Sequence, residues 1–337
     1  MNPRRPFARP LAAVLLFAAL AGPAAARGGP ARDPRLSTAT GPLVEASRPL
    51  PLGGLDVVAA SRGTITDPER ARTAVEAALD AAARLASDLA AQGGELARLN
   101  AAAAQERFAC SADLFTALEA ALAVAAATGG AYDPTVVPLA RLWEQPRDGD
   151  RPDPLALADA RQLVGWRLLL VEPNTRTVRF RRPGVELALD AVAGGSVMQR
   201  AAERMRERGI ARARLDLPGE TWTFTNHEPW PVTVPHPGAA GGTAMHLRVS
   251  SAAVATAGGT GGRPVLDPRT GHRPAGEASV TVVTAPAPGA AALAAALRVL
   301  GREGAADYAR RHADVGVLWL EPAGDGLRAW AWNLDAV

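Results

Sequence analysis

The stretch richest in possible chemistry is Thr128-Gly-Gly-Ala-Tyr-Asp-Pro-Thr-Val-Val-Pro-Leu139, with Trp143 just beyond it. It puts a phenol, a carboxylate and a hydroxyl (Tyr132, Asp133 and Thr135) directly after a glycine pair. Paired glycines end a helix because they reach positive φ without steric cost. Asp133 precedes a proline, which pushes its backbone out of the helical region. The three polar side chains are therefore expected on an extended turn at a helix end. Such a turn can wall a ligand pocket, and composition alone also accounts for it as a helix cap followed by a turn. A second candidate is Asp267-Pro-Arg-Thr-Gly271. Its Arg269 could grip a phosphate through two parallel hydrogen bonds, and Asp267 and Thr270 add a carboxylate and a hydroxyl. Taken alone it is an acidic turn. A third is Ala191-Val-Ala-Gly-Gly-Ser196, read as a small-residue turn opening a helix over Val197–Arg208. Its backbone N–H groups could meet a phosphate, and tight strand-to-helix packing explains it as well.

Several chemistries are excluded. The five histidines (227, 236, 246, 272 and 312) show no metal-ligand spacing, and His227-Glu228 lacks the second histidine of a zinc-protease helix. His272 is the one histidine beside a candidate loop, and it reads as solvent-exposed. No Gly-x-Ser-x-Gly, Walker loop or dinucleotide fingerprint occurs. The single cysteine, Cys110, excludes an intramolecular disulfide and reads as a small buried hydrophobe. It lies too far from the N-terminus to be a lipid-attachment cysteine. Net charge is +3, and every basic side chain is arginine, since the sequence has no lysine. The high pI therefore reflects arginine's high pKa rather than a basic patch. The arginines between Arg200 and Arg214 read as a solvated helix face, so no nucleic-acid partner is expected.

The elements that must position these groups follow from periodicity. Residues 1–26 read as an export signal. Arg4, Arg5 and Arg9 precede an apolar run, Leu11 to Ala21, too short to span a bilayer, and Ala24–Ala26 offers small residues for cleavage. Arg4-Arg5-Pro6-Phe7 also resembles a twin-arginine signal. The expected location is periplasmic, with no transmembrane segment after signal removal. Residues 27–50 are Pro/Gly/Arg-rich and read as a flexible lead-in, and residues 51–337 as the folded domain. Asp67-Pro68 opens a helix whose buried stripe runs Val75, Ala78, Leu79, Ala82, Leu85, Leu89. Ser111 to Ala127 is helical. Arg167–Glu172 and Thr177–Arg181 read as a hairpin, Val185–Leu189 as a further strand, and 252–275 as loop. Strands without a strict βαβ rhythm favour an α+β fold of mostly antiparallel sheet flanked by helices.

The order of these landmarks resembles the ApbE family, the FAD:protein FMN transferases. Glu95-Leu-Ala-Arg-Leu-Asn100 is similar to its Ser-Glu-Leu-x-x-Leu-Asn segment. Thr128 to Leu139 with Leu142-Trp143 is similar to its most characteristic stretch almost residue for residue. Ala253-Val-Ala-Thr-Ala-Gly258 and Val265-Leu-Asp-Pro-Arg-Thr-Gly271 resemble its Ala-x-Ala-Thr-Ser-Gly and Ile-Ile-Asp-Pro-x-Thr-Gly motifs. The resemblance runs over roughly residues 50–334 and implies a single T-fold-related domain. It implies an exported protein that binds FAD, uses Mg2+, and transfers FMN to a threonine or serine of an exported or membrane redox protein, releasing AMP. Carried over by position, Tyr132, Asp133, Thr135, Thr256 and Gly258 would bind the cofactor, and Asp267, Arg269 and Thr270 would stand at the reacting end.

The sequence departs from that pattern where the family holds metal and phosphate. The Asp and Lys of the Leu-Asp-Leu-Gly-x-x-x-Lys-Gly loop fall on Ala188 and Gly194, and a later Asp of that helix falls on Gln199. The metal-holding Asp and Thr of Ala-Asp-Ala-Leu-Ala-Thr-Ala fall on Ala291 and Ala295. His-His before the Asp-Pro loop becomes Arg263-Pro264, and the Asn-x-Gly-Gly strand end becomes Asp216-Leu-Pro-Gly219. Alanine offers a hard cation nothing. Asp190 or Asp267 could stand in as a metal ligand, and Arg263 or Arg269 could supply positive charge. Three functions stay open: FMN transferase, a catalytically inactive flavin carrier, and an assembly factor that binds no flavin.

Overall fold

The computed structural model describes residues 15–17, 43–60, 67–90, 92–144, 152–225, 228–260, 264–285, 288–324 and 326–334. In chain order the first elements are β1 (Leu15–Phe17), β2 (Leu43–Leu50), β3 (Gly53–Ala60), α1 (Pro68–Leu89), α2 (Glu95–Ala102), β4 (Phe108–Ala109) and α3 (Ala112–Ala127). Next come α4 (Val137–Glu144), α5 (Pro154–Arg161), β5 (Leu169–Glu172), β6 (Thr177–Phe180), α6 (Asp190–Glu207), β7 (Arg212–Leu217) and β8 (Glu220–Phe224). The chain then runs through β9 (Trp230–Pro235), β10 (Thr243–Val249), β11 (Ala253–Gly258), β12 (Ser279–Thr284), α7 (Ala290–Arg311), β13 (Gly316–Ala323) and β14 (Gly326–Trp332).

Eight strands form one antiparallel sheet in the order β14-β13-β12-β11-β8-β7-β3-β2. Period-2 alternation decides its two faces. Ala253, Ala255, Val280 and Val282 point to the main core, whereas Val254, Val283, Leu318 and Leu320 point to a second one. The main core lies under α1, α6 and α7. The aliphatic stripe of α1 (Val75, Ala78, Leu79, Ala82, Leu85) is fully or nearly fully buried there, and α1 packs along α6. The second core is closed by β9 and β10, through Val232, Val234, Leu247 and Val249. A small sheet, β4-β6-β5, is separate in its hydrogen bonding and packs Leu169, Val178 and Phe180 into the main core. The expected α+β architecture of antiparallel sheet and flanking helices is what the molecule shows. No helix among the described residues is long and apolar enough to cross a membrane.

Four local readings are corrected. Leu43–Leu50, expected in the flexible lead-in, is the edge strand β2 and pairs with β3 along its whole length. Residues 191–196 are not a turn but the first turns of α6, which starts at Asp190. The glycines there answer to tertiary neighbours: a Cβ on Gly195 would fall 2.6 Å from the Pro288 backbone. Residues 253–258, expected as loop, are β11 in the middle of the sheet. Residues 185–189, expected as a strand, form none. Asn100 takes the place of a neighbouring strand, its amide bonding both Leu187 N and Leu187 O at 2.9 Å. Within the stretch read as an export signal, Leu15–Phe17 pairs with β10, and the rest of that stretch lies outside the described residues.

Candidate functional site

The Thr128–Leu139 stretch is held from both ends. At the start of α3, Ser111 caps the helix by accepting from Leu114 N, and the Glu95 carboxylate accepts from Ser111 N (2.6 Å) and Ser111 Oγ (2.5 Å). At the other end Gly129 and Gly130 turn at φ 61° and 80°, and Gly130 N donates to Ala125 O. The chain then runs into a buried knot. Asp133, 4% exposed, accepts from Thr135 N (2.9 Å), Thr135 Oγ1 (2.6 Å) and Trp166 N (2.7 Å). Gly165 N donates to Thr135 Oγ1 at 2.7 Å. Burial pushes the Asp133 carboxyl above the usual carboxylate range. The bonds from Thr135 and Trp166 and the nearby Arg167 charge pull the other way. Thr135 is completely buried in this knot and faces no ligand space.

Tyr132 differs from its neighbours. It is 8% exposed, and its hydroxyl is buried with no hydrogen-bond partner. Burial pushes the phenol's pKa up, and the charges of Asp133 and Asp190 add to that. Its ring stands in the wall of a cavity of about 370 Å3. Other pieces of that wall are the start of α6 (Asp190, Gly194), the β7–β8 turn ending in Glu220, Thr256 and Ala257 of β11, Pro264–Leu266 with Pro268, and the front of α7 (Ala291, Ala295). Tyr132, Asp133, Thr256 and Asp190 thus meet around one space, from three separate parts of the chain.

The other expected site residues are placed differently. The Thr256 hydroxyl pairs with Thr281 Oγ1 at 2.8 Å. Gly258 is outside the wall; at φ 86° its missing Cβ leaves room for Ala278 O and for Arg298, whose guanidinium donates to the carbonyls of Ala275, Gly276 and Ala278. Asp267 and Arg269 form a two-bond ion pair (2.9 and 3.1 Å) within one tight turn, and His272 N donates to Thr270 Oγ1. Trp143 Nε1 donates to Gly271 O and pins that turn. Their neighbours Leu266 and Pro268 reach the cavity, while Asp267, Arg269 and Thr270 do not line it. His272 is exposed, and Arg263 lies outside the described residues. Cys110 is buried as expected, its thiol pushed up to about 12 by burial and by Glu95. The residue that sequence reasoning missed is Glu220. A Cβ on Gly194 would fall 2.2 Å from its Oε2, so the carboxylate occupies the room a side chain at 194 would take. A glycine inside a helix was the available signal.

The cavity's mainly apolar lining, with the Tyr132 ring in its wall, suits the flavin part of FAD. Mg2+ does not fit the positions the family resemblance assigns to it. Ala291 and Ala295 present methyl groups, and no three His, Cys, Asp or Glu side chains converge as a cage among the described residues.

Known proteins resemble this chain in sequence and in fold. A model described as the ApbE family matches residues 55–319. An FAD:protein FMN transferase of Rhodobacter capsulatus is 30% identical over 241 residues, covering 66% of this chain and 45% of that protein. The chain therefore spans less than half the length of that relative. One from Vibrio cholerae is 28% identical over 255 residues, 70% of this chain and 75% of that one. Among solved structures, the flavin transferase ApbE from Vibrio cholerae superposes with a TM-score of 0.73 at 24% identity, covering 86% of this chain and 97% of that one. The apo flavinyl transferase ApbE of Pseudomonas stutzeri gives 0.73 at 21%, covering 86% and 94%. These two likenesses show the fold.

Proposed function

This chain belongs to the ApbE family, and from that premise we propose that it is an FAD:protein FMN transferase whose cavity holds the flavin. The acceptor would be a threonine or serine of an exported or membrane redox protein. Its hydroxyl oxygen attacks the FMN-side phosphorus of FAD. A new P–O ester forms, the bond from the FMN-side phosphorus to the bridging oxygen breaks, AMP leaves with that oxygen, and the hydroxyl proton passes to a base. Tyr132 would place its ring against the flavin, and Asp133 and Thr135 would serve by fixing the turn that carries it. Thr256 would border the flavin, with Gly258 and Arg298 setting the strand end behind it. Asp267, Arg269 and Thr270 are assigned to the diphosphate end, where Arg269 would exchange its Asp267 partner for phosphate. Asp190, exposed at the mouth, is the chain's candidate cation ligand. Export through the N-terminal segment and a periplasmic location belong to the same proposal.

The observation that carries this reading is the cavity assembled from the family's own landmark segments, with the Tyr132 ring in its wall. The test is intact-mass spectrometry of an acceptor domain incubated with this protein, FAD and Mg2+. A gain equal to FMN supports the transferase. No gain, with an authentic transferase modifying the same acceptor in parallel, sinks it. A second reading is favoured by the methyl groups at Ala291 and Ala295: a protein that holds flavin without transferring it. Retention of FAD through gel filtration would support that carrier, and absence of any flavin affinity would leave an assembly role.

A further inference from the structure

Resting on the reading of this cavity as an FAD site, we propose that Arg298 is a positioning residue, a buried clamp that holds residues 264–278 in place as one wall of that site. This segment contains no helix or strand. Its first limb brings Pro264, Val265, Leu266 and Pro268 to the cavity, and its tight turn carries Asp267, Arg269 and Thr270, the residues assigned to the diphosphate end. Its second limb, residues 272–278, leads back to β12 without lining the cavity. An irregular segment lacks the ladder of bonds that fixes a helix or strand, so its position depends on what other elements offer it. Trp143 Nε1 bonds the turn at Gly271 O. Arg298 bonds the second limb three times. Its Nε donates to Ala278 O at 2.8 Å, and one terminal nitrogen donates to Ala275 O at 2.9 Å and to Gly276 O at 2.6 Å.

An arginine at this place is costly to bury unless its donors are used. The side chain is 6% exposed and stands on α7 before the break at Gly301. Its bonds go to carbonyls rather than to a carboxylate, and Glu321, whose charge acts on it, accepts from Trp319 Nε1. A planar fork of fixed donors suits several carbonyls of an irregular loop. The chain makes room for it, since Gly258, at φ 86°, lacks the Cβ that would fall 2.9 Å from Arg298 Nε. Ala291, Ala295 and Arg298 follow one another at helical spacing and share one face of α7. The first two line the cavity. One helix face thus presents one wall of the site and anchors the next.

The test compares the full-length parent with Arg298→Met and Arg298→Lys, by amide exchange read in mass spectrometry and by FAD binding read in flavin fluorescence. Methionine fills the space without donors. Lysine keeps the charge and replaces the fork with one nitrogen, so it should show the same change at smaller size, and it decides the matter if the methionine variant does not fold. Peptides covering 264–278 should exchange about tenfold faster in Arg298→Met, with 290–300 and β11 protected as in the parent. FAD affinity should fall about tenfold, as expected when the wall keeps its binding arrangement for about a tenth of the time. Asn333→Ala, which loosens the rear of α7, should lower the melting temperature and leave FAD affinity at the parent's value. If Arg298 acted only through overall stability, the two variants would weaken FAD alike, and that result overturns the proposal. Unchanged exchange over 264–278 in both Arg298 variants overturns it too, as does loosening spread equally over α7 and β11, or faster exchange with FAD affinity intact. No FAD binding by the parent overturns the flavin reading, and faster exchange in the variants then makes Arg298 a purely structural clamp.

Discussion

The turn after α3 and the front of α7 wall the same cavity under opposite rules. In the turn, polar side chains are abundant and almost all are spent on the protein: Asp133 and Thr135 bond each other and the backbone of residues 165–166. At the front of α7 the wall is Ala291 and Ala295, with nothing to bond. The most recognisable residues of this turn therefore serve the fold, with Tyr132 the exception, while the front of α7 brings only methyl groups to the cavity.

The sharpest way to break this contrast is Asp133→Ala. It strands three buried donors, and urea unfolding should show a loss of about 3–5 kcal/mol. A loss below about 1 kcal/mol would mean that the turn is not a scaffold. Next is the pair of adjacent glycines in α6. Gly195→Ala drives a methyl into the Pro288 backbone and should cost about 1–3 kcal/mol, whereas Gly194→Ala meets side chains alone, the end of Glu220 and, at 3.3 Å, Leu217, and should cost less. Equal effects would remove the reason given for each. Placing donors on the α7 wall, with Ala291→Asp and Ala295→Thr together, should make thermal stability respond to Mg2+ by about 1–2 kcal/mol at saturating ion. No response would show that this wall lacks more than its ligands.

The alkaline limb tests the packed side of the comparison. The folded Cys110 thiol titrates near 12 against 9.0 for the free group, and the Tyr132 phenol is raised as well. The folded state therefore binds more protons than the unfolded state above the unfolded pKa, and the slope of stability with pH is negative there. Urea midpoints should be flat near neutrality and fall as pH rises past 9, with Cys110→Ala flattening part of the fall. The smallest effect belongs to the Asp267–Arg269 pair. Arg269 is 45% exposed, so Arg269→Ala should cost less than about 1 kcal/mol while still changing FAD affinity if the guanidinium meets phosphate.

Periodic elements were legible in the sequence. The α1 stripe and the β5–β6 hairpin each declare a period over their own length. What failed was local grammar overruled from a distance. Glycines at 194 and 195 read as a turn, because the reason for them, Glu220 and the Pro288 backbone, lies on other elements. Residues 185–189 looked like a strand since nothing in them reveals that their partner is the Asn100 side chain. Proline and glycine around β2 hid a strand that exists because β3 offers it an edge. At the site, Tyr132 was legible from its motif. Glu220 was not, since its value depends on where the β7–β8 turn crosses α6. Asp267 and Arg269 looked available in sequence, and their two-residue spacing in a turn is what lets each neutralise the other.

The break in α7 has its own consequence. Gly301, at φ 76° and ψ 176°, interrupts the helix between a front half that faces the cavity and a rear half tied to the chain's last strands. The rear is held by Arg302 over Trp330 and by Asn333, whose amide donates to the carbonyls of Ala309, His312 and Val315. Because the hydrogen-bond ladder does not run through residue 301, the two halves need not open together. Amide exchange should resolve them as separate cooperative units, the rear half fraying with β14 on its sheet edge while residues 290–300 stay closed until the whole domain unfolds. The cavity is thereby insulated from disturbances that begin at the sheet's outer strand.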